Sequence, residues 1–299
     1  MAPAAATALE DVPYDARGIL SGLFQQGYAV GYLLAAIFYR ALVPTTVNGW
    51  RSLFWFGAGP PIPIILWRWY LPETNHFQVM KAAREAKHET EHHTSLGQKT
   101  GSLQAFLKDA NHAFQENWVL FIYMVVIMAG MNSVSHGSQD LYPTFLKDQV
   151  GMGATQVTVI TVVGQLGAIV GSTTAGWLST FTGRRPTMMV SCVIGGALVP
   201  PYIFPRDNSL IASTFFQQMF VGAVWGPLPV HLVELSPQAL RTFFYGVTYQ
   251  LGNLASSASS TIEATIGERF PLPAIDGKDR YDYGKVIGKS AVLLVKRCD

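Results

Sequence analysis

Seven long apolar segments dominate this 299-residue chain and constrain its fold more than any other feature. A helix needs about 20 mostly apolar residues to cross the hydrocarbon core of a bilayer. Only 13% of the residues are charged, against about 25% in a typical soluble domain. An all-α membrane protein with about seven transmembrane helices is therefore predicted. The segments lie at 17–40, 50–71, 117–140, 155–179, 187–205, 210–231 and 241–266.

The polar stretches between these segments predict how the chain is organised around the membrane. Residues 1–71 hold two spans, 72–116 form a long polar loop, 117–266 hold five spans, and 267–299 form a tail. Most Lys and Arg residues between the spans fall on the side of the long loop, which the positive-inside tendency makes cytoplasmic. Seven spans would leave the tail outside, although it holds seven Lys or Arg residues. The orientation of the tail therefore stays open.

Composition and motifs argue against several classes of function. A net charge of +2 without a polybasic block gives no indication of a nucleic-acid partner. No nucleophile elbow or phosphate loop is recognisable, so neither an enzyme nor a cofactor is predicted. His88, His92 and His93 have a spacing that could hold a metal on a helix. No fourth ligand is evident and the neighbours are Glu and Lys, so this segment is interpreted as a solvated helix without metal.

A repeat relates the two ends of the chain. Each copy leads into an apolar segment, so both copies are predicted to enter the membrane from the same face, with their glycines at helix contacts. Six helices separate the copies, and a parallel six-plus-six repeat resembles the major facilitator transporters. On that resemblance the chain starts just before helix five of twelve, ends in or before helix twelve, and looks like a fragment. Glu10, Pro13, Arg17, Gly22 and Gln26 align without gaps on Glu234, Pro237, Arg241, Gly246 and Gln250.

The segment GWLSTFTGRRP, residues 176–186, resembles the cytoplasmic G-x-L-x-D-x-x-G-R-R loop of the same superfamily. This resemblance implies a gating loop between two helices. Thr180 stands where the family usually has Asp, which is expected to weaken an interaction between that Asp and an Arg. The predicted gating residues are Gly176, Gly183, Arg184 and Arg185.

The segment NSVSHGSQDLYPT, residues 132–144, brings many hydrogen-bonding groups into an apolar span. On a helix, Asn132, Ser135, His136, Gln139 and Asp140 share one arc of about 140°. An unpaired Asp or His against lipid costs several kcal/mol, so this face is predicted to line an aqueous cavity or contact other helices. The amides and hydroxyls alone could simply join helices. Histidine titrates near neutral pH, so His136 and Asp140 together are predicted to exchange a proton.

The same segment matches N-x-x-[ST]-H-x-[ST]-Q-D-x-x-x-T, the signature of the fungal Jen-type monocarboxylate permeases, which are lactate/pyruvate proton symporters. The resemblance extends over about residues 10–285. It implies a small carboxylate substrate, protons as the coupled ion, and a site in the lipid bilayer of the plasma membrane. It further implies substrate binding by Asn132, Ser135, Gln139, Gln250 and Phe24, and proton coupling by His136 and Asp140.

Two other functions stay open. Paired Gln25 and Gln26 are typical of sugar porters, so a sugar or polyol transporter of the same superfamily is an alternative. The second alternative is a truncated, non-transporting membrane protein, or one that associates with another transporter half. Glu263, near the outer end of the last span, is interpreted as an interfacial residue. The sequence pattern predicts neither which carboxylate is carried nor the oligomeric state of the protein.

Overall fold

The computed structural model describes residues 12–70, 78–79, 82, 102–237, 241–275, 278–284 and 286–287. The predicted helix with His88, His92 and His93 lies outside the described residues, as does Glu10 of the repeat. Among the residues that are described, no group of three or more His, Cys, Asp and Glu side chains could hold a metal ion.

Helices fill all seven apolar segments, which confirms the predicted all-α bundle. Four of the segments contain two consecutive helices each. In chain order the helices are α1 Tyr14–Leu42, α2 Arg51–Ala58, α3 Pro61–Tyr70, α4 Ser102–Gln139, α5 Tyr142–Thr144, a π-helical turn Phe145–Gln149, α6 Ala154–Thr182, α7 Arg184–Ala197, α8 Val199–Ile203, α9 Ser209–Trp225, α10 Leu228–Leu235, α11 Arg241–Ser256 and α12 Ser259–Gly267.

Proline and glycine account for most of these breaks. Pro60 separates α2 from α3, Pro200 lies in the first turn of α8, and Gly226 and Pro227 separate α9 from α10. Proline has no backbone N–H, and its ring clashes with the preceding helical turn. Such breaks are tolerated in membrane helices because neighbouring helices satisfy the freed backbone groups.

Two continuous stretches of the described chain are long and apolar enough to cross a membrane by themselves, Phe114–Gln149 and Ala154–Thr182. Only 28% and 39% of their most apolar windows are buried within the protein. A core helix of a soluble protein would be mostly buried, whereas these helices present most apolar side chains outward. The same holds for α2 and α3, which have no buried residue. The outer faces of the bundle therefore suit a hydrocarbon environment.

Helix α6 lies at the centre of the bundle and packs most extensively against α9 and α1, while α4 packs against α11. Small residues allow the close approach. A Cβ atom at Gly171 would overlap the backbone of Met219, and one at Gly222 would overlap the backbone of Ala168. Contacts of this kind are typical of membrane helices, where small residues let two backbones meet.

The interior has three layers. Along α4, apolar residues up to Met128 come first and the polar residues 132–139 follow, and apolar residues resume at Tyr142 of α5. We call the apolar layers the inner cluster, on the predicted cytoplasmic side, and the outer cluster. The inner cluster comprises Met124, Met128, Met188, Leu228, Val230, Leu232, Val233 and Tyr245. The outer cluster comprises Tyr142, Phe145, Leu146, Ile160, Val199, Tyr202, Ile203, Leu210 and Ile287.

The tail contains the one departure from an all-α fold in the described ranges. Strand β1, Pro271–Ile275, pairs antiparallel with β2, Lys278–Tyr281. The intervening sequence Asp276-Gly277 is typical of a tight hairpin, a signal that the apolar pattern alone does not use. The tail then returns to the bundle, where Gln149 donates from Nε2 to Asp282 Oδ1 at 2.8 Å. It therefore lies at the end of the outer cluster, the side on which seven spans would leave it.

In the short loop before α9, the Asp207 carboxylate accepts hydrogen bonds from the residue that begins the helix. The Ser209 hydroxyl and backbone N–H both donate to Asp207 Oδ1, at 2.5 and 3.2 Å. These hydrogen bonds lower the pKa of Asp207 from its usual value. A charged carboxylate at a helix N-terminus also interacts favourably with the helix dipole.

Candidate substrate and proton site

A cavity of about 70 Å³ lies in the polar layer between the two apolar clusters. A buried water needs roughly 10–15 Å³ of such space, so the cavity can hold several waters or a small polar solute. Helices α1, α4, α6, α9 and α11 all contribute to its wall. The polar and aromatic lining residues are Gln25, Tyr28, Asn132, Ser135, His136, Gln139, Gln165, Ser172, Trp225 and Tyr249.

Helix α4 brings four of the predicted residues to this cavity, namely Asn132, Ser135, His136 and Gln139, and the fifth, Asp140, directly follows the helix. Their spacing of three and four residues places them on one helix face. Asn132 donates from Nδ2 to the Met128 carbonyl at 3.0 Å, so one of its two amide hydrogens is engaged. Ser135 accepts a hydrogen bond from the Trp225 indole on Oγ. These contacts fix both side chains at the cavity wall.

His136 and Asp140 form the titratable pair of the site. The Nδ1 atom of His136 lies 3.0 Å from Asp140 Oδ2 and 3.3 Å from Oδ1. The side chains are 39% and 35% exposed, so water can reach both. His136 lines the cavity, whereas Asp140 lies one turn further toward the outer cluster. An imidazole and a carboxylate at hydrogen-bond distance can hold a proton between them.

A second pair of this kind lies away from the cavity, in the part of α4 that precedes a kink at Asn117. The Nδ1 atom of His112 lies 3.4 Å from Glu116 Oε1, also four residues apart. These side chains are 72% and 63% exposed. The pair on the polar layer therefore differs from an ordinary helix-surface pair in its burial and in its position beside the cavity.

Gln139 is already engaged with another helix. Its Nε2 donates to Gln218 Oε1 on α9 at 2.8 Å, and Gln218 Nε2 donates to the Tyr202 hydroxyl at 3.3 Å. The Tyr202 ring stacks on Tyr142 with 4.0 Å between centroids. Gln139 thus joins α4 to α9 just beneath the outer cluster, so one donor of its amide is unavailable to a substrate in this arrangement.

Two predicted substrate residues do not reach the cavity. Gln250 is exposed, and its neighbour Tyr249 lines the wall instead. Phe24 is partly buried against the inner cluster, and its neighbour Gln25 lines the wall. Adjacent residues on a helix point about 100° apart, so a shift of one position moves a side chain off the face. The role predicted for Gln250 and Phe24 therefore has no support from their positions.

The predicted gating loop joins α6 to α7 at the inner end. Gly183 adopts φ +94° and ψ 152°, which favours a residue without a Cβ atom. Gly176 lies against α1. A Cβ atom added at Gly176 would lie 2.6 Å from the Gly18 carbonyl oxygen and 3.0 Å from Gly22 Cα. Gly22 is thus at a helix contact as the repeat predicts, whereas Gly246 has no described atom within 4 Å of a Cβ position.

Arg184 ties this loop to α10. Its Nη2 atom lies 3.3 Å from Glu234 Oε1, and its Nη1 donates to Ser179 Oγ at 2.9 Å and to Thr180 Oγ1 at 3.3 Å. Glu234, the acidic residue of the second repeat copy, thus supplies the carboxylate that Thr180 does not. Arg185 is exposed, with its guanidinium 5.6 Å from the centre of the Tyr123 ring.

Comparison with known proteins identifies the family. Residues 3–275 match the family described as sugar (and other) transporter. The chain belongs to this family. Family members are transporters rather than enzymes and are integral, multi-pass membrane proteins. The fold agrees, because the structure of the MFS (major facilitator superfamily) proton:xylose symporter XylE, bound to 6-bromo-6-deoxy-D-glucose, superposes with a TM-score of 0.65. That match has 16% sequence identity and covers 98% of this chain and 65% of XylE.

Two curated relatives are similar over most of this chain. A protein of Saccharomyces cerevisiae described as a carboxylic acid transporter protein homolog is 39% identical over 95% of the chain and 47% of its own length. The cis,cis-muconate transport protein of Acinetobacter baylyi is 26% identical over 86% of the chain and 59% of its own length. The chain thus spans about half the length of the curated relatives it matches.

Several lining residues of this family member are absent from the sequence-based prediction. Gln165 and Trp225 each sit alone in an apolar run, and Tyr28 follows a glycine with no motif around it. The Gln165 side chain is 4% exposed, and its Oε1 has no hydrogen-bond partner. The sequence did contain a signal for Gln165, namely a single amide inside a predicted span. A buried polar group in a membrane helix usually has a function or a partner.

The Arg184 contacts give a stability prediction. Arg184→Ala is expected to lower the free energy of unfolding by about 2 kcal/mol, because hydrogen bonds to charged groups contribute about 1.5–3 kcal/mol. The matched control is Arg185→Ala, which removes an exposed cation–π contact and should cost less than about 1 kcal/mol. Unfolding of both purified variants in detergent measures the difference. Equal losses would contradict a specific role of Arg184.

Proposed function

We propose that this chain forms the site of a proton-coupled carboxylic acid transporter whose cargo is a small monocarboxylate such as lactate or pyruvate. The His136–Asp140 pair beside the polar cavity carries the proposal, because it places a titratable group where an anion could bind. The names of the yeast and Acinetobacter relatives support an organic acid as cargo. The location proposed for the protein is the plasma membrane.

The cavity offers hydrogen-bond donors to a carboxylate. The Ser135 hydroxyl oxygen accepts a hydrogen bond from the Trp225 indole N–H, so the hydroxyl hydrogen of Ser135 can still donate. Asn132 retains a second amide hydrogen beyond the one bound to Met128. His136 in its protonated form adds a positive charge. We assign substrate binding to these three residues, with Gln139 joining them if its bond to Gln218 opens.

Proton coupling follows from the charge of the cargo. Moving an anion inward against a negative interior costs about 2.3 kcal/mol per 100 mV. A proton that moves with the anion cancels this cost. The site must therefore bind a proton close to the carboxylate and release both on the inner side, and we assign the binding of the proton to the His136–Asp140 pair.

A sugar or polyol is the second candidate cargo. Gln25 lines the cavity as one of the paired glutamines, and neutral amides and hydroxyls suit a polyhydroxy substrate. The family description and the structural similarity to XylE are compatible with this cargo. What favours the carboxylate is the imidazole of His136 at the cavity wall, which in its protonated form would pair with an anion, together with the names of the yeast and Acinetobacter relatives.

A non-transporting protein is the third candidate. The site of a major facilitator lies between its two halves. A chain of this family that does not transport by itself would act by association with another transporter half, in the bilayer.

Flux into lipid vesicles distinguishes these candidates. We expect vesicles that contain the chain to accumulate labelled lactate when the outside is acidic, and not when the pH is equal on both sides. Labelled glucose and inositol, offered in parallel, should not accumulate. Accumulation of lactate without regard to the pH difference, or of a sugar in its place, would refute the carboxylate assignment. Vesicles without flux of any cargo, compared with protein-free vesicles, would support the non-transporting candidate.

A further inference from the structure

Gln165 of α6 carries a buried amide that no neighbouring side chain binds in the described part of the protein. The residue is 4% exposed, and its Oε1 is enclosed without a hydrogen-bond partner. Gln139, by contrast, is bonded to Gln218. A buried amide without a hydrogen bond is costly, so such a group in a native protein calls for a water or a ligand. The Gln165 amide is therefore available to a bound solute.

The packing of α6 against α9 fixes the position of this amide. A Cβ atom added at Gly164 or at Gly167 would overlap atoms of α9, so the two helices touch closely on both sides of Gln165. Ala168 and Ser172, three and seven residues further along, share its helix face and also line the cavity of the polar layer. The amide thus belongs to a cavity wall built from closely packed helices rather than from a loop.

A second, smaller cavity shows where Gln165 lies along the polar layer. This cavity of about 20 Å³ lies at the outer cluster, and Gln139 and Gln165 line both cavities. On α4, the donors proposed for the carboxylate begin at Asn132 and end at His136, and Gln139 follows about 5 Å further outward. An acid whose carboxylate binds those donors can therefore direct its second carbon toward Gln165.

An amide can bind either kind of oxygen on that carbon. Its carbonyl oxygen accepts a hydrogen bond from a hydroxyl group, and its NH₂ group donates to a keto oxygen. Rotation about the last side-chain torsion of Gln165 exchanges the two ends, and that torsion is soft. An unsubstituted carbon offers neither a donor nor an acceptor, so it would leave the buried amide unpaired. A site of this kind discriminates against a cargo that lacks the matching group.

We propose that Gln165 is a specificity-determining residue that binds the oxygen on the second carbon of the acid. The site then prefers 2-hydroxy and 2-keto acids to acids without that oxygen. This inference rests on the proposed function and narrows its substrate class. Gln165 contacts the cargo, whereas the proton stays with the His136–Asp140 pair. Ala29 and Val221, which also line the cavity, offer an apolar contact to the methyl group of the acid.

Equilibrium binding of three acids to the purified full chain in detergent tests the proposal. Lactate, pyruvate and propionate share a carboxylate and a three-carbon chain and differ only at the second carbon. We expect lactate and pyruvate to bind about 3–10-fold more tightly than propionate, which corresponds to one net hydrogen bond. Equal affinities for the three acids in the wild type would overturn the proposal without any variant.

Two variants test the residue itself. Gln165→Met keeps the length of the side chain and removes the amide, so it should weaken the binding of lactate and pyruvate to the level of propionate. Gln165→Asn holds its amide one methylene further from the cavity and should reduce the preference in part. An unchanged preference in either variant would overturn the proposal, so the test stands even if Gln165→Met does not fold.

Gln217→Met is the matched control. Gln217 on α9 is also 4% exposed with an enclosed and unpartnered Oε1, but it lines neither of the two cavities. The control should keep the wild-type preference among the three acids. The same loss of preference in Gln217→Met and Gln165→Met would point to a general effect of removing a buried amide and would contradict the proposal.

Binding and flux separate this inference from the proposed function. If vesicles accumulated no lactate while the purified chain bound the acids with the expected preference, transport would fail and the role of Gln165 would stand. If accumulation were driven by the pH difference but the preference were absent, only the role of Gln165 would fail. A chain that bound none of the three acids would overturn this inference together with the monocarboxylate as cargo.

Discussion

Replacing His136 by alanine is expected to reduce pH-driven lactate uptake to the level of vesicles without protein. The variant removes the imidazole that lies 3.0 Å from Asp140 and lines the cavity. In the described part of the chain, Asp140 then has no other side chain at hydrogen-bond distance through which to pass a proton, and none of the remaining residues that line the cavity can carry a positive charge for the anion. Initial rates of labelled lactate uptake, with the outside acidic, measure the effect.

His112→Ala is the matched control for this experiment. It removes a histidine with the same four-residue spacing to an acid, but at an exposed position before the kink of α4 at Asn117. Its uptake should equal that of the wild type. Wild-type uptake by His136→Ala would reject the proton-coupling role, and equal losses in both variants would point to an effect on α4 as a whole.

Gly171→Ala is expected to destabilise the protein more than its single methyl group suggests. The added Cβ would overlap the backbone of Met219, so α6 and α9 would have to separate. Overpacking a well-packed interior costs about 1–3 kcal/mol, and here no flexible side chain can move aside. Thermal unfolding in detergent should show a clear fall in the midpoint temperature. The same result is expected for Gly222→Ala, which meets the backbone of Ala168.

Gly130→Ala provides the comparison on a helix without such a contact. No described atom lies within 4 Å of a Cβ at Gly130 on α4. Alanine has a higher helix propensity than glycine, by up to about 1 kcal/mol, so the unfolding midpoint should stay unchanged or rise. A fall in Gly130→Ala as large as that in Gly171→Ala would show that close backbone contact is not the cause.

The sequence predicts the helices well because the hydrocarbon core leaves few alternatives. Seven apolar runs of sufficient length require helices, since backbone groups in lipid must be paired within the segment. The apolar pattern does not predict whether each span is one continuous helix or two. The breaks at Pro60, Pro200 and Pro227 could be anticipated from proline, whereas the break at Ser257 carries no such signal. The helix after that last break, α12, carries Glu263, which is 3% exposed, so its predicted interfacial position is wrong.

The candidate site was predictable to the extent that it lies on one helix. The spacing from Asn132 to Gln139 places four side chains on one face of α4, and the structure places them at the cavity. Contributions from other helices depend on how each helix is rotated about its axis. That rotation is set by packing between helices, so Gln25 and Tyr249 line the cavity where Phe24 and Gln250 were predicted.

The ion pair of the gating loop shows the same limitation. Thr180 in place of Asp predicts a weakened interaction, and the local sequence contains no substitute carboxylate. Glu234 lies 50 residues away from Arg184 and reaches it because α10 ends beside the loop. Its position in the repeat marked Glu234 as notable, but only the tertiary arrangement pairs it with Arg184.

The two apolar layers around the polar layer have a consequence for energy conservation in the cell. Water reaches the half-exposed His136–Asp140 pair in the polar layer, but the closely packed side chains of the two apolar layers leave no room for it to continue through them. Looser packing in either layer would let protons flow down their gradient without cargo. In the proton-coupled carrier that we propose, such a leak would dissipate the membrane potential, and the close packing of Tyr142 and Tyr202 on one side and of Leu228 and Tyr245 on the other would oppose it.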